Sequence, residues 1–320
     1  MRHSTFGVRR CWLIWVAVVP VVLWTLVRLL GLDREYPLVA LMAFTPWAAV
    51  GALFVAGVAV VLRNWAAATV AGLATLCLVL AVLPRAIGDD TVSANGRETL
   101  TVLSSNVHFG HADPEALVEL VDRYRPDLLA LQELTPRAAR ELRRAGLGNL
   151  LPNAVLETRR AAAGSGLYSR LPMRKLGGGQ PFFFRQPRAL LRMPDGRPVR
   201  VIDIHPLPPG RGTEEVWDDT LASLPSAGSG PPWVLVGDFN ATLDIAPFRE
   251  LLDRGYRDAG EVAGEGLEPT FPTMGWGGLP PFITIDHVLA DERIDVVDYG
   301  VDDLPGTDHR PIWAELALSE

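Results

Sequence analysis

Lysine is nearly missing from this chain: of 30 basic residues only Lys175 is a lysine, while arginine, alanine and glycine abound, a bias that fits a GC-rich genome and carries no functional weight. Cysteine is almost as scarce. Cys11 and Cys77 both fall in the first quarter, so the remainder has no residue for a disulfide or a thiolate zinc site. Acids are missing from three apolar stretches, Cys11 to Leu30, Leu38 to Leu62 and Trp65 to Leu83, which excludes the proton relays of a transporter. Excess positive charge is missing from everything downstream. Residues 1 to 90 hold seven arginines against four acids, a net of +3, so the remainder carries −10 of the overall −7. Such an acidic domain excludes a dedicated DNA-packaging or sliding protein, whose affinity comes from clustered Lys and Arg. It leaves room for a phosphate-handling enzyme whose metal supplies the positive charge. With 48% hydrophobic and 21% charged residues and a mean hydropathy of +0.18, disorder is excluded as the main state.

Each apolar stretch is near or above the ~20 residues that a helix needs to cross ~30 Å of hydrocarbon. Arg28 can snorkel to the headgroups, Pro20 and Pro46 are tolerable in such helices, and Arg63-Asn64 permits only a tight hairpin. Trp12, Trp15, Trp24, Trp47 and Trp65 fall near interfaces. A cleaved signal peptide is the rival reading of the first stretch, which is too long for one and lacks a small-x-small exit. Arg2, Arg9, Arg10 and Arg63 place the N-terminus and second loop in the cytoplasm, so an odd number of crossings puts everything after Pro84 outside; Arg85 and the loop Asp33-Arg34-Glu35 oppose this weakly. The expected organisation is a cell-membrane anchor at 1–84 with three transmembrane helices (about 11–30, 38–62 and 65–83), a polar linker at 85–98 and a domain at 99–320.

In that domain Leu100 to Ser105 reads as a buried strand, Asp113 to Arg123 as a helix with Pro114 at its first position, and Asp127 to Leu131 as a second strand. Ala189 to Met193 and Val199 to Ile204 flank Asp195-Gly196, a hairpin signal, before a helix at Thr213 to Leu224 and a strand at Trp233 to Val236. Ile283 to Leu289 and Pro311 to Leu316 supply late strands. Polar residues collect where these elements end: Asn106, Gln132-Glu133, His205, Asp238 and Asn240, then Asp286-His287 and Asp308-His309. Taken singly each is a turn former or a solvated pair. Together they matter, because strand ends converge in α/β folds and clustered acids need a cation. Oxygen donors without cysteine point to Mg²⁺, with Mn²⁺ as the alternative, before Zn²⁺.

The order S-x-N, Q-E, G-L-Y-S-R, H-P, G-D-F-N-A, I-D-H-V and T-D-H-R-P, from Leu100 to Leu316, resembles the endonuclease/exonuclease/phosphatase superfamily. The resemblance implies a DNase I-like, four-layered α/β sandwich with a metal site at one edge of its paired sheets, here behind three membrane helices. It implies Glu133 as main metal ligand, with Asn106 and Asp308 completing the shell. Asp238, assisted by Asn240, would orient and deprotonate the attacking water; His309, oriented by Asp286, and His205 would bind the scissile phosphate. Three spans before such a domain are also similar to the VanJ family of teicoplanin-resistance proteins. Tyr168 departs from the aliphatic pattern of the serine motif and reads as core or pocket wall; His108 and His111 read as loop residues, and Arg310 as the partner of a phosphate or a local acid.

The expectation is a membrane-anchored, extracytoplasmic, metal-dependent phosphoric ester hydrolase acting on a phosphodiester or pyrophosphate. A membrane lipid or lipid-linked cell-wall precursor is the expected substrate, and no protein partner can be inferred. An extracytoplasmic nuclease is the alternative, supported by the basic face Arg137, Arg140, Arg143 and Arg144 and opposed by the −10 charge. A non-catalytic binding domain is the third reading, opposed by the retention of every core motif. Substrate choice would reside in the loops Gly177 to Arg188, with Phe182, Phe183 and Phe184, and Thr270 to Pro281, with Phe271 and Trp276.

Overall fold

The computed structural model describes residues 4–319 apart from 90, 91, 95, 178–182 and 276, with side chains from residue 12 onward. Arg2, Phe182 and Trp276, and the side chains of Arg9, Arg10 and Cys11, lie outside the described residues. The first apolar stretch forms α1 (Ser4–Leu30). The second breaks at Ala43-Phe44 into α2 (Leu38–Met42) and α3 (Thr45–Val61). Pro46 lies in the first turn of α3, where its missing N–H costs nothing. The Thr45 hydroxyl donates to the Met42 carbonyl at 2.7 Å and accepts from Trp24 Nε1 at 3.1 Å, which fixes the bend against α1. The third stretch forms α4 (Trp65–Val82), capped by the Asn64 side chain.

Two of these helices, Trp12–Leu30 and Trp65–Ala86, are long and apolar enough to cross a membrane. The middle one, with 17 residues, spans only about 26 Å at 1.5 Å per residue. The expected single span over 38–62 is thus corrected to a one-turn helix, a bend and a shorter helix. Buried Ala49, Ala52, Ala59, Ala67 and Ala71 let α1, α3 and α4 approach closely.

From Thr99 the chain runs β1 (Thr99–Asn106), α5 (Pro114–Tyr124), β2 (Leu128–Gln132), α6 (Pro136–Arg144), α7 (Leu147–Leu150), β3 (Asn153–Glu157), β4 (Ser165–Ser169) and β5 (Met173–Lys175). It continues through β6 (Arg188–Arg192), β7 (Pro198–Ile204), α8 (Glu214–Ala222), β8 (Trp233–Asp238), α9 (Ala246–Leu252), β9 (Tyr256–Asp258), α10 (Ala259–Ala263), β10 (Asp286–Asp291), β11 (Ile294–Val301) and β12 (Ile312–Leu318). Two six-stranded sheets form, ordered β11-β12-β1-β2-β4-β3 and β5-β6-β7-β8-β10-β9. Their inner faces share one apolar core that includes Val102, Ala130, Val201, Val236 and Val288. Leu117, Leu120 and Leu142 of α5 and α6 cover the first sheet's outer face, and Trp217 and Phe248 of α8 and α9 cover the second's. The result is the expected four-layer sandwich.

Each sheet is centred on a parallel pair, β1 with β2 and β7 with β8. Parallel pairing aligns the carboxyl ends, so Asn106 sits opposite Gln132 and Ile204 opposite Gly237. Antiparallel β10 sets Asp286 opposite Asp238. Gly237 allows this crossing: at φ 141° its Cβ position lies 2.2 Å from the Ile204 carbonyl oxygen, which no side chain could share.

The helical stem is docked on this sandwich. Val39 and Met42 of α2 are wholly buried beside Trp217 and Phe248. Arg85, expected in a linker, is 3% exposed and clamps Asp244 with both terminal nitrogens, at 2.7 and 2.8 Å, while Arg28 Nε holds the same carboxylate at 2.7 Å. Ala246 N donates to Asp33 Oδ2 at 2.9 Å, Gly266 N to the Arg85 carbonyl at 3.0 Å and Asp89 N to the Val262 carbonyl at 2.9 Å. Of the polar linker expected at 85–98, the first residues are not solvent-borne: residues 83–89 pack against the domain, because a buried carboxylate there needs guanidinium partners. The end of α1, the start of α3 and the end of α4 all meet the domain, so the three helices alternate in direction.

Candidate active site

Asp238, the last residue of β8, is the centre of the polar cluster. Its Oδ2 accepts from Asn106 Nδ2 at 3.0 Å and lies 3.6 Å from His205 Nε2 and 3.7 Å from His309 Nε2; its Oδ1 accepts from Asn240 N at 2.9 Å. Asn106 Nδ2 also points at Glu133 Oε1, 3.4 Å away, and the other Glu133 oxygen accepts from Phe109 N at 2.6 Å. Asp286 Oδ2 faces His309 Nδ1 at 2.9 Å, so the Nε2 edge of that imidazole is turned to Asp238. Strand ends position Asn106, Glu133, His205, Asp238 and Asp286, the loop before β12 positions His309, and the structure brings all six together. Asn240 joins them through its backbone, while its side chain donates to the Pro206 carbonyl at 3.2 Å. Asp308 is placed differently. Its Oδ1 meets His108 Nδ1 at 2.8 Å, so in this structure a histidine occupies the carboxylate expected on the metal.

The backbone here is unusual. Glu133 (φ 58°), Asn240 (φ 50°), His108 (φ 44°) and Phe109 (φ 54°) are four of the seven non-glycine residues with positive φ among the described residues. Side-chain contacts hold the shell in place. Thr270 Oγ1 accepts from the Ile285 and Asp286 amides, Thr307 Oγ1 accepts from His309 N and donates to the Asn106 carbonyl, and the rings of Phe271 and Phe184 lie 4.8 and 4.7 Å from those of His309 and His205.

Burial drives the electrostatics. Desolvation raises Glu133 above the usual carboxylate range, against hydrogen bonds from Phe109 and Asn106. It also raises Asp238, opposed by the nearby His309 and reinforced by Asp286. Burial lowers His205 to about 4 despite Asp238, so this imidazole is neutral at pH 7. For His309 burial also favours the neutral form, but Asp286 and Asp238 outweigh it and raise the group to about 10. Ligand atoms of Asp238, Asp286 and His309 lie within 4.8 Å of one another, and Glu133 and Asn106 adjoin them. Carboxylate, amide and imidazole donors without thiolate fit a hard divalent cation, which would offset the cost of burying these acids.

A family model described as the endonuclease/exonuclease/phosphatase family matches residues 103–309, well over half of the chain. The chain belongs to that family. Members of it are generally phosphoric ester hydrolases and typically use a divalent metal. No curated protein matches the chain. Solved structures share the fold: an endonuclease/exonuclease/phosphatase from Beutenbergia cavernae DSM 12333 is 19% identical with a TM-score of 0.51, covering 70% of this chain and 72% of that one. A humanized D. rerio TDP2 with 14 mutations is 16% identical with a TM-score of 0.54, covering 70% and 99%. D. rerio TDP2 complexed with a single-strand DNA product is 16% identical with a TM-score of 0.51, covering 68% and 98%.

Against this family frame, some residues prove structural. Tyr168 is buried in the core on the helix side of the first sheet, its hydroxyl pushed up to about 12 by desolvation. His287 is held between Asp258 and the Ala241 carbonyl, at 2.8 and 2.9 Å. Arg310 pairs with the local acids Asp303 and Glu268, at 2.9 and 2.7 Å. Sequence reasoning missed His108, Thr270 and Thr307 as second-layer contacts of the site. Only His108 carried a signal, its spacing of two from Asn106.

Proposed function

We propose that this protein is a membrane-anchored, extracytoplasmic phosphoesterase that hydrolyses a phosphodiester or pyrophosphate on a membrane lipid or lipid-linked carrier. The observation that carries the hydrolytic part is the buried Asp238 carboxylate with two imidazole Nε2 atoms within 3.7 Å. Its raised basicity suits it to take the proton of an attacking water. Asn240 N fixes its second oxygen, so the lone pair used for that transfer points into the cluster. His309, charged and oriented by Asp286, donates from Nε2 to a phosphoryl oxygen as charge builds on it, and His205 donates a neutral hydrogen bond to another. Glu133 and Asn106 would hold a divalent cation, with Asp308 joining on release from His108. Such an ion supplies positive charge against the phosphate.

Anchoring is supported by two helices long and apolar enough to cross a membrane and a shorter apolar third packed alongside them. Arg63 lies at the stem end remote from the domain, which supports an outward-facing domain by charge asymmetry, while Arg34 and Arg85 at the domain end oppose it. Three apolar helices before this family's domain are also similar in arrangement to the VanJ family, and a cell-wall polyprenyl carrier fits a site held close to a membrane. The nuclease reading draws on the TDP2 complex with single-strand DNA; the net −10 beyond residue 90 counts against a tracked polyanion.

Full-length protein assayed with Mg²⁺ should cleave lipid-linked phosphates faster than nucleic acid or sugar phosphates, and excess EDTA should abolish turnover. Undiminished activity after metal exchange into EDTA, or DNA as the best substrate, refutes this reading. Topology has its own test. Ser93 is exposed, so Ser93→Cys should react with a membrane-impermeant maleimide in intact cells or spheroplasts; labelling only after lysis reverses the orientation.

A further inference from the structure

Charge is spread unevenly over the acidic domain. From Thr158 to Pro194 the chain has seven arginines, Lys175 and no acid, although everything after residue 90 sums to −10. The topology collects part of this stretch beside the catalytic cluster. Asn106, Gln132, Ser165 and Glu157 form one register row across β1, β2, β4 and β3, so the loop carrying Arg159 and Arg160 leaves the first sheet at the same edge as Asn106. In the second sheet β6 runs antiparallel to β7 with Arg188 opposite Ile202, so the residues just before Arg188 lie at the edge where β7 delivers His205. The two segments touch: Arg185 N donates to the Ala163 carbonyl at 3.0 Å, and the Phe184 ring lies 4.7 Å from that of His205.

The arginines at this edge are unpaired. Arg159, Arg160, Arg185 and Arg188 have no acid partner among the described residues, and Glu157, the acid of the register row, is held by Lys175 Nζ at 2.7 Å. Four of the eight buried side-chain polar atoms without a hydrogen-bond partner among the described residues also lie here: Ser165 Oγ, Arg185 Nε and both ends of the Gln186 amide. Guanidinium, hydroxyl and amide donors left open at one corner suit an anion with several acceptor oxygens, and phosphate matches the guanidinium fork. The opposite flank of the cluster differs, since Arg310 is held by Asp303 and Glu268, and His108 by Asp308. A nucleic-acid strand would carry phosphates past both flanks, whereas a diphosphate carries one further phosphate past one.

We infer that Arg159, Arg160, Arg185 and Arg188, with Ser165 and Gln186, form a subsite for a second phosphate next to the scissile one; this rests on the phosphoesterase reading and narrows its substrate to a diphosphate. Asp238 takes a proton from water, the water oxygen bonds to the phosphorus beside His205 and His309, and the bridging P–O bond breaks. The electron pair of that bond leaves with the phosphate in the subsite, where the guanidinium groups meet the charge.

The test separates binding from turnover. Full-length Asp238→Asn protein with Mg²⁺ is titrated calorimetrically with inorganic diphosphate, orthophosphate and a single-stranded oligonucleotide. Diphosphate is expected to bind about tenfold or more tighter than orthophosphate, and adding Arg160→Gln and Arg185→Gln together should abolish that preference without weakening orthophosphate. Arg144→Gln, exposed at the end of α6, should change neither affinity. A preference that survives the paired substitutions overturns the inference, as does an equal loss for both anions, which marks a general attraction of positive charge. An oligonucleotide that binds more tightly than diphosphate and is lost with the same arginines also overturns it, in favour of a nucleic-acid track. In turnover with Asp238 intact, the paired substitutions should lower kcat/KM about tenfold or more on a prenyl diphosphate and leave a prenyl phosphodiester little changed. Equal losses on the two, or a wild type that prefers the diester, overturn the inference and leave the phosphoesterase reading standing. If the wild type hydrolyses neither, that reading fails, and the titration still decides the subsite.

Discussion

Asp238→Asn is expected to lower kcat by about two to three orders of magnitude, and His309→Ala by a similar factor, with the fold intact in both. Asn keeps the shape of Asp238 and can still accept from Asn240 N, but an amide cannot take a proton from water. Loss of the carboxylate also relieves a buried negative charge beside Asp286, so the melting temperature should hold or rise. His309 acts through the same atom pair, its Nε2 being 3.7 Å from Asp238 Oδ2. The two residues therefore act as one unit, and the double variant should lose little beyond either single one. Steady-state kinetics on the best panel substrate, with melting curves alongside, check this. A kcat within tenfold of wild type in both single variants would show that the reacting phosphate lies elsewhere.

The second large effect is on stability. Asp244→Ala should weaken the junction between stem and domain by about 3–5 kcal/mol, the range for removing one partner of a buried ion pair. Asp244 is fully buried and receives Arg28 and Arg85 together. Without it two guanidinium groups face each other away from water, and Arg249, which donates to the Asp244 carbonyl and to that of Arg28 at 2.9 Å, adds a third. Hydrogen exchange gives the measurement. The Asp89 amide, bonded to the Val262 carbonyl, and the Gly266 amide, bonded to that of Arg85, should exchange roughly two to three and a half orders of magnitude faster, at 1.4 kcal/mol per tenfold. Unchanged exchange at both amides would mean that the apolar contacts of Val39 and Met42 hold the junction alone.

Much of the site was legible because its residues end buried strands, and a run such as Trp233 to Val236 announces both its own burial and the place where it must stop. β1, β2, β8 and β12 were readable for that reason, as was the hairpin of β6 and β7 from Asp195-Gly196. Short or half-exposed β3, β5 and β9 carry too little pattern to be seen. The pairing of Asp308 with His108 joins two loops 200 residues apart, and no periodicity encodes such a contact. Arg85 after Pro84 reads as a charged flank, since one arginine looks the same whether it meets water or a buried aspartate. The break in the second apolar stretch did leave a sign. Pro46 marks a first helical turn as readily as it is tolerated inside a membrane helix, and hydropathy alone favours the second reading.

The positive φ angles of Glu133, Asn240, His108 and Phe109 carry a consequence for the evolvability of this protein. Left-handed backbone costs on the order of 1 kcal/mol at a residue such as Glu133 or Phe109 and less at Asn240 and His108, and all four lie at the edge that carries the candidate site. Glycine at any of them would relieve that strain at once. A screen that rewards heat resistance alone would therefore be drawn to the very positions that shape the site, and a winner at Glu133 would be sturdier but stripped of its carboxylate there. Lineages under thermal selection can keep the chemistry only by finding their stability elsewhere, in the helical layers or at the junction with the stem.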